Sequence, residues 1–182
     1  MSKAIIFLAQ GFEEVEATVP MDLLRRAGIE LTVVGITGKE VSGSHAITYI
    51  ADITIDQLSG DFDAVIVPGG MPGAANVAVN PKAMSLIQEF HGQNKLVAAI
   101  CAAPVVVLEK AGVLKQKKAV CFPGMESQFV DAEFLDQKVV VDGNIITSKG
   151  VGTAFDFSLA LIAYLEGDDK ASAVSKKIVY QS

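Results

Sequence analysis

Short runs that are apolar at nearly every position constrain this chain more than any other feature. They occupy residues 3–9, 30–36, 96–100 and the tetrapeptide Ala64-Val65-Ile66-Val67. A strand that is apolar on both faces has to be covered on both sides. Stretches with helical spacing alternate with these runs: residues 13–27, ended by Gly28; 80–92, with Pro81 in the first turn; 104–111; and 153–165. Such alternation predicts parallel pairing, and so an α/β, doubly wound, mostly parallel sheet sandwiched by helices. Two segments depart from it. Residues 40–55 alternate over short distances, with Ala46-Ile47-Thr48-Tyr49-Ile50 among them, and read as a small hairpin or an edge addition. Residues 139–147 read as a hairpin turning at Asp142-Gly143-Asn144. With 182 residues and neither repeat nor linker, a single domain over residues 1–182 is expected.

Composition removes several functions. At 51% hydrophobic the chain is not of the disordered class. A net charge of −6 offers no basic surface in bulk, so no nucleic-acid partner is expected. No apolar run approaches the roughly 20 residues needed to span a bilayer. The first apolar stretch leads at once into Glu13-Glu14 with no cleavage site, so no membrane partner and a cytoplasmic location are expected. Cys101, Cys121, His45 and His91 lack the close-set pairs of a zinc finger, and no metal site is expected.

In a sheet of this kind ligands bind outside the carboxyl ends of the strands. Three such exits stand out: Gln10-Gly11-Phe12-Glu13, Pro68-Gly69-Gly70 and Cys101-Ala102-Ala103-Pro104. Cys101 falls on a strand-to-helix elbow, which would expose its thiol above the sheet. A following helix N-terminus would favour the thiolate. Local context leaves two roles open, an activated nucleophile or a small packed hydrophobe. On a helical wheel of 13–27, Glu16 falls between Leu23 and Ala27, inside the apolar arc. A carboxyl there should be buried, with a raised pKa, and able to donate a hydrogen bond when protonated. The other reading is a solvated first-turn acid on a rotated helix, which would expose two leucines. Glu13 is expected to cap the helix, and Glu14 falls on the polar arc. Gly69-Gly70 reads as backbone able to approach a ligand, or simply as a tight turn. Gly150-Val151-Gly152-Thr153 starts like a dinucleotide fingerprint, but Phe155 replaces the third glycine, so no nucleotide is expected. His91 is read as a surface residue suited to a helix end, and Cys121 as a packed thiol ending a strand or as a resolving partner.

Gly11-Phe12-Glu13-Glu14-Val15-Glu16, Val67-Pro68-Gly69-Gly70, Ala98-Ala99-Ile100-Cys101-Ala102-Ala103-Pro104 and Thr147-Ser148-Lys149-Gly150-Val151-Gly152-Thr153-Ala154 occur in that order. Together they resemble the ThiJ/PfpI superfamily, in its DJ-one and YajL-like branch, over essentially the whole chain. The resemblance implies a flavodoxin-like fold and a homodimer. It implies a cofactor-independent glyoxalase or deglycase activity on methylglyoxal-like carbonyls or glycated protein, or else a chaperone or peroxide sensor acting through cysteine oxidation. Carried over, Cys101 matches the nucleophilic cysteine, Glu16 the protonated acid, and the N–H groups of Gly70 and Ala102 the oxyanion-binding pair. Phe122-Pro123 stands where many members have His-Pro, which removes a Cys–His pairing and disfavours a protease. His45 matches a position from which some members present an arginine to the neighbouring subunit.

Overall fold

In the inner strands side chains alternate strictly between two apolar layers. The computed structural model describes residues 1–181. Its strands are β1 (Lys3–Leu8), β2 (Glu30–Gly35), β3 (Glu40–Ser42), β4 (Thr48–Ile50), β5 (Ile53–Thr54), β6 (Ala64–Val67), β7 (Leu96–Ile100), β8 (Lys118–Ala119), β9 (Glu133–Phe134), β10 (Val139–Asp142) and β11 (Ile145–Ser148). Its helices are α1 (Glu14–Arg26), α2 (Gly73–Ala78), α3 (Pro81–Gly92), α4 (Ala154–Glu166) and α5 (Asp168–Lys177). Seven strands form the main sheet in the order β10-β11-β7-β6-β1-β2-β5, parallel throughout except for the β10–β11 hairpin.

Ala4, Ile6, Leu8, Ile66, Ala98 and Ile100 point to the face covered by α1 and α4, against Leu24, Phe157 and Leu161. Ile5, Phe7, Val65, Val67, Val97 and Ala99 point to the opposite face, against Ala74, Val77, Ile87 and Phe90 of α2 and α3. The period of two explains why these runs had to be apolar at every position. The fold is the α/β sandwich that the alternation predicts.

β1 pairs with β2 on one side and β6 on the other, so the connections diverge at β1 and leave a crevice beyond the ends of β1 and β6. Residues 40–55 divide between two of the expected roles. β3 and β4 make a separate antiparallel ribbon, and β5 extends the main sheet at its edge. The stretch after Cys101 differs from the expected α-helix. Pro104–Glu109 is a π-helical segment of six residues, wider than an α-turn. Cys121 does not end a strand of the main sheet, because β8 stops at Ala119 and pairs with β9 outside it. The short α2 and the amphipathic α5 add to the expected elements.

Thr147 ties the 118–122 segment to the sheet. Its buried hydroxyl accepts the Val120 N–H at 2.9 Å. Thr147→Val keeps the shape and orphans that donor, so it should destabilise the fold by about 1–3 kcal/mol. Urea unfolding checks this, with a lower midpoint at unchanged slope; coincident midpoints would refute it.

Candidate active site

β7 ends in a strained elbow. Cys101 has φ 66°, a left-handed conformation uncommon for a residue with a Cβ. The elbow is held on both sides. The Cys101 N–H donates to the Ser148 carbonyl at 2.9 Å, and the Cys101 carbonyl accepts the Phe122 N–H at 2.8 Å. The thiol is partly exposed and free.

Glu16 reaches the same place from α1. Glu13 caps that helix, its side chain accepting the Glu16 N–H at 2.7 Å. Glu16 itself is wholly buried on the apolar face, where the wheel puts it. Its Oε2 accepts the Gly69 N–H at 3.0 Å, while Oε1 has no hydrogen-bond partner among the described residues. Only glycines allow this approach. A Cβ on Gly69 would stand 2.5 Å from Cys101 Cβ and 2.6 Å from Glu16 Oε2. Gly70 has φ 83°, and a Cβ there would meet the Glu13 nitrogen at 2.3 Å. The tight-turn and close-approach readings of Pro68-Gly69-Gly70 are therefore the same structure.

Burial dominates the electrostatics. Desolvation pushes the Glu16 carboxyl up to about 7, against the pull of the nearby Cys101 thiol, the bonded Gly69 N–H and the Val151 N–H. It also pushes the Cys101 thiol up to about 12, helped by the charge of Glu16 and opposed by the Gly70 and Ala102 N–H groups. The expectation of a thiol depressed by a helix end is thus corrected. The six-residue π-helical segment that follows starts only at Pro104, and burial beside a carboxylate outweighs it. Between those limits the pair carries one proton, held on sulfur beside the carboxylate. The carboxylic acid can donate towards sulfur, and the two backbone N–H groups face the charge that would remain there.

Glu14 corrects the wheel. It is buried, not solvated, because residues 43–47 fold over it. Its carboxylate accepts the His45 N–H at 2.6 Å and approaches His45 Nδ1 at 2.9 Å and Ser44 Oγ at 3.3 Å. Burial works against that charge. The His45 contacts prevail and hold the carboxyl at about 2, while the same carboxylate raises the pKa of His45. His45 is thereby held by Glu14 of its own chain, with its side chain still largely exposed. One ligand-type atom each from Glu13, Glu14 and His45 lies within 4.8 Å of the others, the one such cluster among the described residues. Residue spacing gave no sign of it, since the three meet only through the 43–47 loop.

Cys121 is buried, and burial with the charge of Glu126 raises its thiol to about 11. His91 is half-buried, and burial with the charge of Lys117 lowers its pKa, which corrects the reading of a surface cation. The Gly150-Val151-Gly152-Thr153 motif forms a turn into α4, with the Val151 N–H directed to Glu16. The residue that sequence reasoning undervalued is Phe122. It was noted only for the histidine it replaces, yet its ring borders the site.

Over residues 2–164 the sequence matches the DJ-1/PfpI family. The chain belongs to that family. It is 40% identical to Protein dj-1beta of Drosophila melanogaster, over 98% of each chain. It is 33% identical to Deglycase PH1704 of Pyrococcus horikoshii over 150 residues, 81% of this chain and 89% of that one. It is 36% identical to Protein DJ-1 homolog B of Arabidopsis thaliana over 94% of this chain, but spans only 40% of that longer relative. Among solved structures, the oxidised form of Toxoplasma gondii DJ-1 superposes with a TM-score of 0.96 at 33% identity, covering 100% of both chains. No helix among the described residues is long and apolar enough to cross a membrane.

The buried pair sets a pH dependence. Burial beside the Glu16 carboxylate holds the thiol up to about 12, so alkylation of Cys101 by iodoacetamide should keep rising with pH well past the free-thiol value of ~8.5. Glu16→Gln removes the neighbouring charge and should bring the inflection down. A single inflection at ~8.5 in both proteins would contradict the coupling.

Proposed function

We propose that this protein is a cofactor-independent, cysteine-dependent enzyme of the glyoxalase or deglycase type. Its substrates would be methylglyoxal-like 2-oxoaldehydes or their protein adducts. The observation that carries this reading is the partly exposed Cys101 thiol beside a wholly buried Glu16 with one unpartnered oxygen. The relative named as a deglycase supports the substrate class.

Glu16 in its carboxylate form takes the thiol proton as the Cys101 sulfur adds to the aldehyde carbon, and the carbonyl electron pair moves to oxygen. The Gly70 and Ala102 N–H groups hold that oxyanion, which takes the same proton from Glu16 to become a hemithioacetal. Glu16 in its carboxylate form removes the proton from the former aldehyde carbon, giving an enediol. It returns the proton to the adjacent carbon, leaving a thioester of a 2-hydroxyacid. Water cleaves the thioester, releasing the acid and restoring the thiol. Methylglyoxal and water thus become lactate, with no external oxidant or reductant. A carboxyl with a pKa near neutrality suits a group that must both take and give a proton.

A second reading is a redox sensor, in which Cys101 is oxidised by a peroxide and the same acid and N–H groups hold the sulfinate. The likeness to an oxidised DJ-1 favours it as an additional state of the same thiol. We further take residues 1–182 as one domain acting as a homodimer, on the strength of the family match over 2–164. Two free thiols suit a reducing, cytoplasmic setting.

Cys101→Ser and Glu16→Gln should each lower kcat/KM for conversion of methylglyoxal to lactate by about 100-fold or more. Product NMR gives the rate, and thermal midpoints confirm that both variants fold. Wild-type rates in both would overturn the enzymatic reading. Peroxide oxidation of Cys101 without any turnover would favour the sensor.

A further inference from the structure

Phe122 is a large aromatic left 48% exposed. Single exposed apolar side chains are ordinary on protein surfaces. Two contacts set this one apart. Its backbone N–H is bonded to the carbonyl of Cys101, so the ring is anchored to the residue that carries the thiol. Its ring edge also lies close to the unpartnered oxygen of Glu16. A Cβ added to Gly150 would stand 3.4 Å from Phe122 Cδ2, 3.8 Å from Cε2 and 3.6 Å from Glu16 Oε1. Each of those is an ordinary van der Waals contact, so the glycine leaves open beside the ring a space that a side chain would occupy. Gly150 has φ 161°, extended backbone open to any residue, so strain does not account for a glycine there.

Exposed apolar side chains flank the glycines of the site. Val151, 45% exposed, follows Gly150, and Met71, 56% exposed, follows Gly70. The nearest basic residue in the chain, Lys149, is paired with Asp136. Glu16 and Glu13 are both acids. A substituent carrying a carboxylate would face the Glu16 carboxyl, whereas a flat apolar one would lie against the ring.

We propose that Phe122 and Gly150 form the specificity subsite of this enzyme, selecting carbonyl compounds whose non-reacting substituent is flat and apolar, aryl above all. The inference rests on the reading of Cys101 as the nucleophile. The ring supplies a stacking surface on the segment bonded to Cys101, and the bare glycine leaves room beside it. A methyl group would cover little of that surface, and a carboxylate would face the Glu16 carboxyl.

The test does not need turnover. Phenacyl chloride and chloroacetone both place a carbonyl beside the carbon that thiol sulfur attacks. A C–S bond forms, chloride leaves with its electron pair, and the thiol proton is lost. Rates of Cys101 alkylation, read by mass spectrometry, are divided by the rates with free cysteine to remove intrinsic reactivity. Wild type should then prefer the phenyl reagent by about tenfold. Phe122→Ala should abolish the preference by removing the ring, Phe122→Leu should keep a small part of it, and Gly150→Ala should lower it by filling the gap. Equal preferences in wild type, Phe122→Ala and Gly150→Ala would overturn the proposal. Kinetics with phenylglyoxal and methylglyoxal separate this inference from the reading it rests on. A Phe122-dependent alkylation preference without turnover of either aldehyde would keep the subsite and sink the enzymatic reading. Turnover of both, with ratios that Phe122→Ala leaves unchanged, would do the reverse.

Discussion

A carboxyl group lies buried against a backbone that only glycine can form. The Gly69 N–H meets Glu16 Oε2 at 3.0 Å, and a Cβ on that residue would collide with both Cys101 and the carboxylate. The contact lies where β1 and β6 leave opposite connections, which opens a crevice at the carboxyl ends of the strands. The rest of the site follows from it. Glu13 must cap α1 to turn Glu16 inward, Gly70 must run left-handed over the Glu13 amide, and Cys101 must rise on a strained elbow to meet the acid. A buried carboxyl is expensive in its charged form, and one hydrogen bond does not repay that. The unpartnered Oε1 is the remainder of the cost, held where chemistry can use it.

A second acid two residues away has the opposite fate. Both Glu14 and Glu16 are covered from solvent, but Glu14 lies only under the 43–47 loop while Glu16 is set deep between helix and sheet, and the pKa of one falls where that of the other rises. Depth and the number of donors act together. Glu14 receives the His45 amide, the Ser44 hydroxyl and the His45 ring, whereas Glu16 has one firm N–H donor. One carboxylate anchors a loop and the other is kept near neutrality, so two neighbouring acids on one helix do unlike work.

Much of this arrangement could be read from residue order. The fully apolar runs required a covered sheet, and the wheel placed Glu16 among leucines because exposing them would cost more than burying one acid. The abrupt passage from Ile100 to Pro104 marked Cys101 as an elbow. Reasoning from a single element failed where another element intervened. Glu14 fell on the polar arc of its helix, and only the folding of residues 43–47 over it buried it. The stretch after Cys101 widened into a π-helical segment, so the expected thiol activation by a helix end gave way to burial.

The sequence by itself determined the layered sheet, the strand exits that bound the crevice, and the meeting there of one cysteine, one inward acid and paired glycines. These follow from periodicity and local sterics, which neighbouring residues carry. Tertiary structure alone decided the charge state of each group and the shape of the entrance. Desolvation depends on everything that covers a side chain, and Phe122 comes close to Glu16 only because residues 16, 122 and 150 meet across three separate segments.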